Sequence, residues 1–593
     1  MARFLEELVS AKALLGYGMR AKWREGYSST DLRADLMAGV VVGVVALPLS
    51  MALAIASGVA PQYGLYTAIV AGVVCALLGG TRCQVTGPTA AFVVILAPIV
   101  AKFGLAGLLV AGFMAGLMLI AMALARFGRL IKYIPHPVTT GFTAGIAVVI
   151  GTLQIKDLLG LQLHRAPESY LERWREMWEA RATFSPWELV TGLLTLALLV
   201  LVPRVIKRIP APLIALTLAG VATTLAAHFL PGFHVATIGS RFHSLVAGQE
   251  VAGIPPLPPL PLLPWHMAGP GGQPFHLGVT TIRELLPAAF AIALLGAIES
   301  LLSAVVSDGM TGTQHDSNAE LLALGIGNVL CPLFGGIAAT GALARTATNI
   351  RAGARSPIAA IVHSLFVLAC TVALAPLVAY LPMAALAALL LMVAKNMAEA
   401  KHFVHILRVA PRSDQLLLLT CFGLTVIFDM VLAVTVGVVL AALLFMRHMA
   451  EITDAKLDEN TMAKLEVPKG VRLYEIAGPL FFGAAQKAMS VIDQIHDDSA
   501  QALILHLGQV PTIDATGLAA LQTMIDKLIH GGHKVILSGL RRQPAEVISR
   551  AGIQHIPGKL AIAPDLDAAI SLAILHLART PPPAPSTDQP AAA

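Results

Sequence analysis

The sequence predicts a mainly α, polytopic membrane protein of fourteen transmembrane segments followed by a small α/β domain, and three observations carry that prediction. Of its 593 residues, 56% are hydrophobic and only 13% are charged, about half the charged share of an average soluble domain. Apolar windows approaching the roughly 20 residues that cross a bilayer recur from Leu36 to Met446. Past Arg447 the composition turns abruptly to that of ordinary globular sequence.

Taken in order, the segments fall at about 36–58, 64–80, 87–101, 104–126, 136–154, 187–205, 211–230, 283–307, 319–336, 340–350, 356–379, 382–397, 414–428 and 430–447. Residues 1–35 mix charge with apolar residues and lack a cleavable apolar core, which predicts an uncleaved cytoplasmic N-terminal segment. With that end inside, Arg126/Arg129/Lys132, Arg204/Lys207/Arg208, Arg351/Arg355, Lys395/Lys401/Arg408/Arg412 and Arg447 all lie on the cytoplasmic side. The loop Pro231–Gln273, with its proline run 255–261, holds one Arg and no Lys, as an outside loop should. Around 160–185, Arg165, Arg173, Arg175 and Arg181 break the pattern. Their partners Glu168, Glu172, Glu176 and Glu179 predict an amphipathic surface helix.

The net charge of +6 is scattered between apolar segments and is not interleaved with aromatics on one face, so it reads as topological charge and excludes a nucleic-acid partner. The five cysteines lie in or beside apolar segments and form no CxxC pair, so neither a disulfide framework nor a metal or other cofactor is expected. Residues 36–447 form the membrane domain and 448–579 the soluble one, where strand-like Val471–Ile476, Ala502–Leu507 and Lys534–Leu537 alternate with helix-like Ala484–His496, Gly517–His530 and Pro544–Ala551. The tail Thr580–Ala593 is predicted to be disordered.

Two short segments, third in each half, combine a glycine with small residues: Val85–Ala91 and Ala339–Thr346. If each is a half-helix beginning near the bilayer midplane, two N-terminal dipoles and their free N–H groups point at one cavity, which suits an anion. Arg345 sits in the second of them, where an unpaired cation costs at least about 2.5 kcal/mol. Either an anion in the cavity compensates it, or it snorkels or pairs with a carboxylate. Glu299 lies mid-span. Protonation would remove most of its burial penalty, which suits a proton carrier, whereas a fixed Glu299–Arg345 ion pair would only hold the site together. Ser303, one turn on, is placed to share its hydrogen bonds. Asp308, His315, Asp316, Asn318 and Glu320 crowd the next loop. Their arrangement reads as capping, with Ser317 or Asn318 starting the helix at Glu320, rather than as a metal site. His363 and Asp429 read as structural, and Gly269–Gly272 as a flexible loop.

The strings DLMAGVVVGVVALPLSMALAIASGVAPQYGLY (35–66), GPTAAFVV (87–94), GAIESLLSAVVSDGMTGTQHDSNAEL (296–321) and FGGIAATGALARTATNIRAGARSP (334–357) resemble the sulfate permease or solute carrier 26 family with a C-terminal STAS domain. Within that group APQYGLYTA, ARFGRLI, GTLQIKDLLGLQ and LLLMVAKNMAEA are similar to DauA-type carriers of C4-dicarboxylates. The resemblance implies a seven-plus-seven inverted repeat, a core domain that moves like an elevator against a gate domain, and a homodimer in a bacterial inner membrane. Carried onto matching positions, it lines the site with Leu49, Leu53, Thr89, Ala90, Ala344 and Arg345, and gives proton or cation coupling to Glu299 and Ser303. Many relatives have Gln where this chain has Leu49. Its loss favours a dicarboxylate with an apolar middle over a small oxyanion.

The expected activity is therefore proton-coupled uptake of succinate, fumarate or aspartate. Sodium-coupled or exchange transport of sulfate or bicarbonate is the alternative, and an anion channel or a membrane sensor signalling through the STAS domain is a third reading. No nucleophile, base and oxyanion constellation or ATP-binding loop suggests an enzyme. In the STAS domain Thr516 lies where relatives carry a phosphorylated residue. Asp514 and Thr516 as a simple cap is the plainer reading, and an unspecified cytoplasmic protein is the expected partner.

Overall fold

The computed structural model describes residues 15–129, 135–163, 170–206, 209–246, 249–267, 269, 273–428, 430–452, 454–457, 467–481 and 500–579. The helix expected over 484–496, the tail, Lys132, Arg165, Glu168, Lys207, Arg208, Pro270, Gly271, Gly272 and Asp429 lie outside these. Two compact units are present, Met1–Val438 and Val439–Ala593.

In the first unit a short helix α1 (Tyr17–Glu25) precedes α2 (Ser29–Ala56), which a Ser28/Asp31 capping box starts. Then follow α3 (Pro61–Leu78), β1 (Thr86–Gly87), α4 (Ala90–Leu124), α5 (His136–Leu159), α6 (Tyr170–Glu179), α7 (Pro186–Val205) and α8 (Ala211–Phe229). A hairpin of β2 (His243–Val246) and β3 (Gln249–Ala252) lies within the long loop after Pro231. The second half has α9 (Val279–Thr311), α10 (Ser317–Leu330), β4 (Thr340–Gly341), α11 (Leu343–Arg351), α12 (Ile358–Ala373), α13 (Met383–Met397), α14 (Ala400–Val409), α15 (Arg412–Ile427) and the start of α16 (Met430–Ile452), within which the two units divide. Among the described residues, ten helical stretches have the length and composition to cross a membrane. The charged segment around 170 forms α6, with Met177 buried and Arg175 paired to Glu179 at 2.9 Å.

All fourteen expected segments fall on helices, with corrected limits. Segments 87–101 and 104–126 are one helix, α4, broken at Gly104 (φ 68°), a conformation glycine adopts without a Cβ penalty. The segment expected to run to residue 336 ends at Leu330 in a tight turn over Cys331–Phe334. That expected to run to 379 stops at Ala373, before a separate single turn Ala375–Val378.

Packing repeats with the halves. Helix α2 lies on α12 as α9 lies on α4; α3 lies on α12 as α10 lies on α4; α5 lies on α15 as α13 lies on α7. Seven segments per half is an odd number, so the second half traverses in the opposite sense to the first. One bundle comprises α2, α3, α4 and α9–α12; the other comprises α5, α7, α8, α13 and α15.

The second unit is a five-stranded sheet in the order β5 (Asp454–Leu457), β6 (Val471–Ala477), β7 (Ala502–Gln509), β8 (Lys534–Ser538), β9 (Leu560–Ala563). Strand β5 is antiparallel to β6 and the others are parallel. Alternate residues of β7 enter opposite cores. Leu503, Leu505 and Leu507 pack with α17 (Ala515–His530) and α18 (Arg542–Arg550), whereas Ala502 and Ile504 pack with α19 (Leu566–Leu577). Strands β5 and β9 were not anticipated.

Candidate functional site

The centre of the first unit is a two-residue antiparallel ladder in which Thr86 faces Gly341 and Gly87 faces Thr340. Both glycines stand in close approach to the opposite half. A Cβ on Gly341 would collide with Gln84 Nε2 and lie 3.0 Å from Ser300 Cα, and one on Gly87 would lie 2.7 Å from Arg345 Nη1. Immediately beyond the ladder α4 and α11 begin, and neither N-cap residue, Thr89 or Ala342, caps its helix through a side chain. Two helix N-termini thus bring uncapped N–H groups to one crossing.

Thr89 Oγ1 donates instead to Glu299 Oε2 at 2.8 Å. Glu299 is partly exposed on α9, as are Thr89 and Leu49, and Ala344 is exposed. Leu53 and Ala90 are buried. Arg345 is 2% exposed, and its Nη2 donates to the Pro88 carbonyl of the opposite half. Its Nε and Nη1 have no hydrogen-bond partner within the protein. No ion pair joins Arg345 to Glu299, so the reading of a fixed pair is corrected: each makes its close bond to the neighbourhood of β1 instead. Ser303 is also corrected. It lies a turn beyond Glu299, yet its Oγ donates to Thr346 Oγ1 at 3.1 Å, and Thr346 Oγ1 in turn accepts from Val85 N–H.

The loop before α10 is resolved into caps. Asp316, not Ser317 or Asn318, is the N-cap, accepting from Asn318 and Ala319 N–H at 2.9 and 2.8 Å. His315 pairs with Asp308 at 2.6 Å. Among the described residues no group of three or more His, Cys, Asp or Glu is placed to hold a metal ion.

Sequence reasoning missed the frame behind the ladder. Glu320, 1% exposed, accepts from Gly80 N–H, Thr81 N–H and Thr81 Oγ1 through Oε2, and from Gln84 Nε2 and Ser300 Oγ through Oε1. Asp35, fully buried, accepts from Tyr27 OH, Arg355 N–H, Ser356 N–H and Ser356 Oγ. Burial, and then the Asp35 carboxylate, push the Tyr27 phenol up to about 12, so it stays a donor across the physiological range. In the second unit Thr516 is exposed in the first turn of α17, where Asp514 caps Gly517 N–H at 2.7 Å.

Residues 32–420 match the sulfate permease family. The chain belongs to that family. Residues 462–569 match the STAS domain. This permease is 40% identical over 505 residues to a putative sulfate transporter, YvdB, of Bacillus subtilis (strain 168), covering 85% of this chain and 90% of that one. It is 28% identical over 511 residues to the bicarbonate transporter BicA of Picosynechococcus sp., covering 82% and 85%. The solved transmembrane domain of a cyanobacterial BicA superposes with a TM-score of 0.57 at 27% identity, covering 70% of this chain and 98% of that one. Murine Slc26a9 shares the fold, with a TM-score of 0.82 at 20% identity over 96% and 95% of the two chains. The permease is accordingly a multi-pass membrane protein of an anion-transporting family, with a C-terminal STAS domain.

Proposed function

We propose that this permease is a secondary active, proton-coupled carrier in which the anion sits where α4 and α11 begin and Glu299 takes the proton. The observation that supports this best is the ladder Thr86–Gly87/Thr340–Gly341, which brings two uncapped helix N-termini and one underpartnered guanidinium to the same place. Thr89, Ala90 and Ala344 offer backbone N–H groups at or beside those termini, Arg345 supplies the charge, and Leu49 and Leu53 supply an apolar wall. Ser303 holds α11 in place through Thr346. Protonation of Glu299 loosens its bond from Thr89 and compensates the charge of the cargo, and the bundle of α2–α4 and α9–α12 then moves as an elevator core against the gate.

For the cargo we favour a C4-dicarboxylate such as succinate, fumarate or aspartate, because Leu49 and Leu53 suit an apolar middle between two carboxylates. A second reading, sulfate or bicarbonate with sodium coupling or exchange, draws on the printed names of the relatives. The same reading places the permease in a bacterial inner membrane with both ends cytoplasmic, as a homodimer, with domain limits at 1–35, 36–447, 448–579 and 580–593. The STAS domain receives a cytoplasmic partner, and Thr516 is its exposed site for phosphorylation. Uptake of labelled succinate into proteoliposomes under an inward proton gradient, with sulfate and bicarbonate as competitors, is the test. Accumulation that collapses with the gradient supports the first reading. Sulfate or bicarbonate flux without succinate uptake replaces it by the second.

A further inference from the structure

His363, on α12, is fully buried, and its Nε2 has no hydrogen-bond partner within the protein. Its Nδ1 lies 3.5 Å from Ser364 Oγ, a hydroxyl that itself donates to the Ala68 and Ala360 carbonyls. Because that hydroxyl gives its own proton to a carbonyl, it faces Nδ1 as an acceptor; a proton on Nδ1 suits it and leaves Nε2 with an acceptor lone pair. The ring belongs to the back of the anion site. A Cβ on Gly72 would collide with Ser364 Oγ and lie 3.5 Å from the Thr86 carbonyl, so residues 363 and 364 run beside β1. The Arg345 guanidinium packs over Gly87, the strand residue next to the Thr86 carbonyl that Gly72 and Ser364 approach.

A second orphan lies one turn along α11. Asn349 is fully buried, its Nδ2 donates to the Cys83 carbonyl at 2.9 Å, and its Oδ1 is unpartnered. Spaced four residues from Arg345, it shares that helix face. The inventory is complementary: two guanidinium nitrogens offer N–H groups, two buried acceptors seek them, and none is satisfied. Orphaned buried polar atoms cost about 1–3 kcal/mol each. A single water with two to four such partners removes that cost.

We propose that a buried water joins His363 Nε2 and Asn349 Oδ1 to the Arg345 guanidinium, and that His363 is thereby a positioning residue that aims Arg345 at the anion. The proposal rests on the reading of Arg345 as an anion-site residue. Its role differs from that of Thr89 or Glu299, because His363 is sealed from the cavity and acts only through the cation.

The test uses the full chain in proteoliposomes, with succinate and sulfate as separate probes and His363→Phe, His363→Gln and Asn349→Leu as variants. Phe keeps the ring volume without an acceptor, whereas Gln keeps an acceptor at similar reach. Losing a hydrogen bond to a charged group predicts a KM raised about tenfold or more in His363→Phe and Asn349→Leu, with Vmax little changed, and a KM restored toward wild type in His363→Gln. Equal losses in His363→Phe and His363→Gln, or a fall in melting temperature and Vmax without a change in KM, would mean packing and overturn the proposal. An unchanged KM in His363→Phe overturns it too. Arg345→Gln separates the two levels: if it leaves KM unchanged, the anion-site reading itself fails. If it raises KM while His363→Phe does not, only the present proposal fails. A map of the full-length protein that resolves ordered water should place one between His363 Nε2 and Arg345; direct contact or an empty gap there overturns the water.

Discussion

The two helix starts at the centre of the permease share a backbone and differ in chemistry. Each follows a Thr-Gly strand, and neither has a side-chain cap. Beyond β1 the helix continues for 35 residues through the break at Gly104; beyond β4 it lasts nine residues and ends before the loop that Asp35 secures. The first start carries neutral Thr89 and Ala90, and the second carries the buried cation Arg345. Backbone symmetry supplies two like dipoles. The charge is confined to one half, and it reaches across the ladder to Pro88 of the other.

That asymmetry can be broken in steps. The largest effect is expected from removing what holds the ladder: Glu320→Ala leaves Gly80 N–H, Thr81 N–H and Thr81 Oγ1 without their carboxylate acceptor, costing about 3–5 kcal/mol as buried donors left unsatisfied. Thermal unfolding in detergent should show it, and a melting temperature within a degree or two of wild type would refute the frame. Next, Glu299→Gln should abolish accumulation driven by a proton gradient while sparing anion exchange, because the amide cannot carry the proton; retained pH-driven accumulation counts against the coupling role.

A smaller effect distinguishes the two glycines. A Cβ on Gly87 meets only the movable end of Arg345, so Gly87→Ala should raise the anion KM about tenfold with little loss of stability. On Gly341 a methyl group meets Gln84 and the Ser300 backbone, so Gly341→Ala should lower the melting temperature instead. Identical behaviour of the pair would dissolve the comparison. The smallest effect lies in the soluble unit: Asp514→Ala should cost about 1 kcal/mol of STAS stability through the lost cap on α17, read by urea unfolding, and leave anion KM unchanged.

The apolar segments were legible because crossing a bilayer imposes a length and a composition that single-chain reading detects, and the Thr-Gly motifs at 86 and 340 marked the interrupted helices. Their pairing was not legible, since two-residue strands carry no periodicity. Glu320 was read as a first-turn residue of its helix, which it is, but the donors it accepts from stand about 240 residues earlier in the chain. Asp35 and His363 were obscure for the same reason: a buried polar residue announces that it has partners without naming them. Ser303 illustrates the reverse error, since helical spacing placed it beside Glu299 while a partner on α11 took its hydrogen bond.

The register of the ladder has a consequence for ancestry. Thr86 faces Gly341 while Gly87 faces Thr340, so each position meets its counterpart's neighbour in a reciprocal, self-complementary contact. Two identical half-length chains related by a two-fold axis would make this contact unaided. A single arginine cannot lie on both sides of such an axis, so a cation unique to one half becomes available only once the copies are fused and free to diverge.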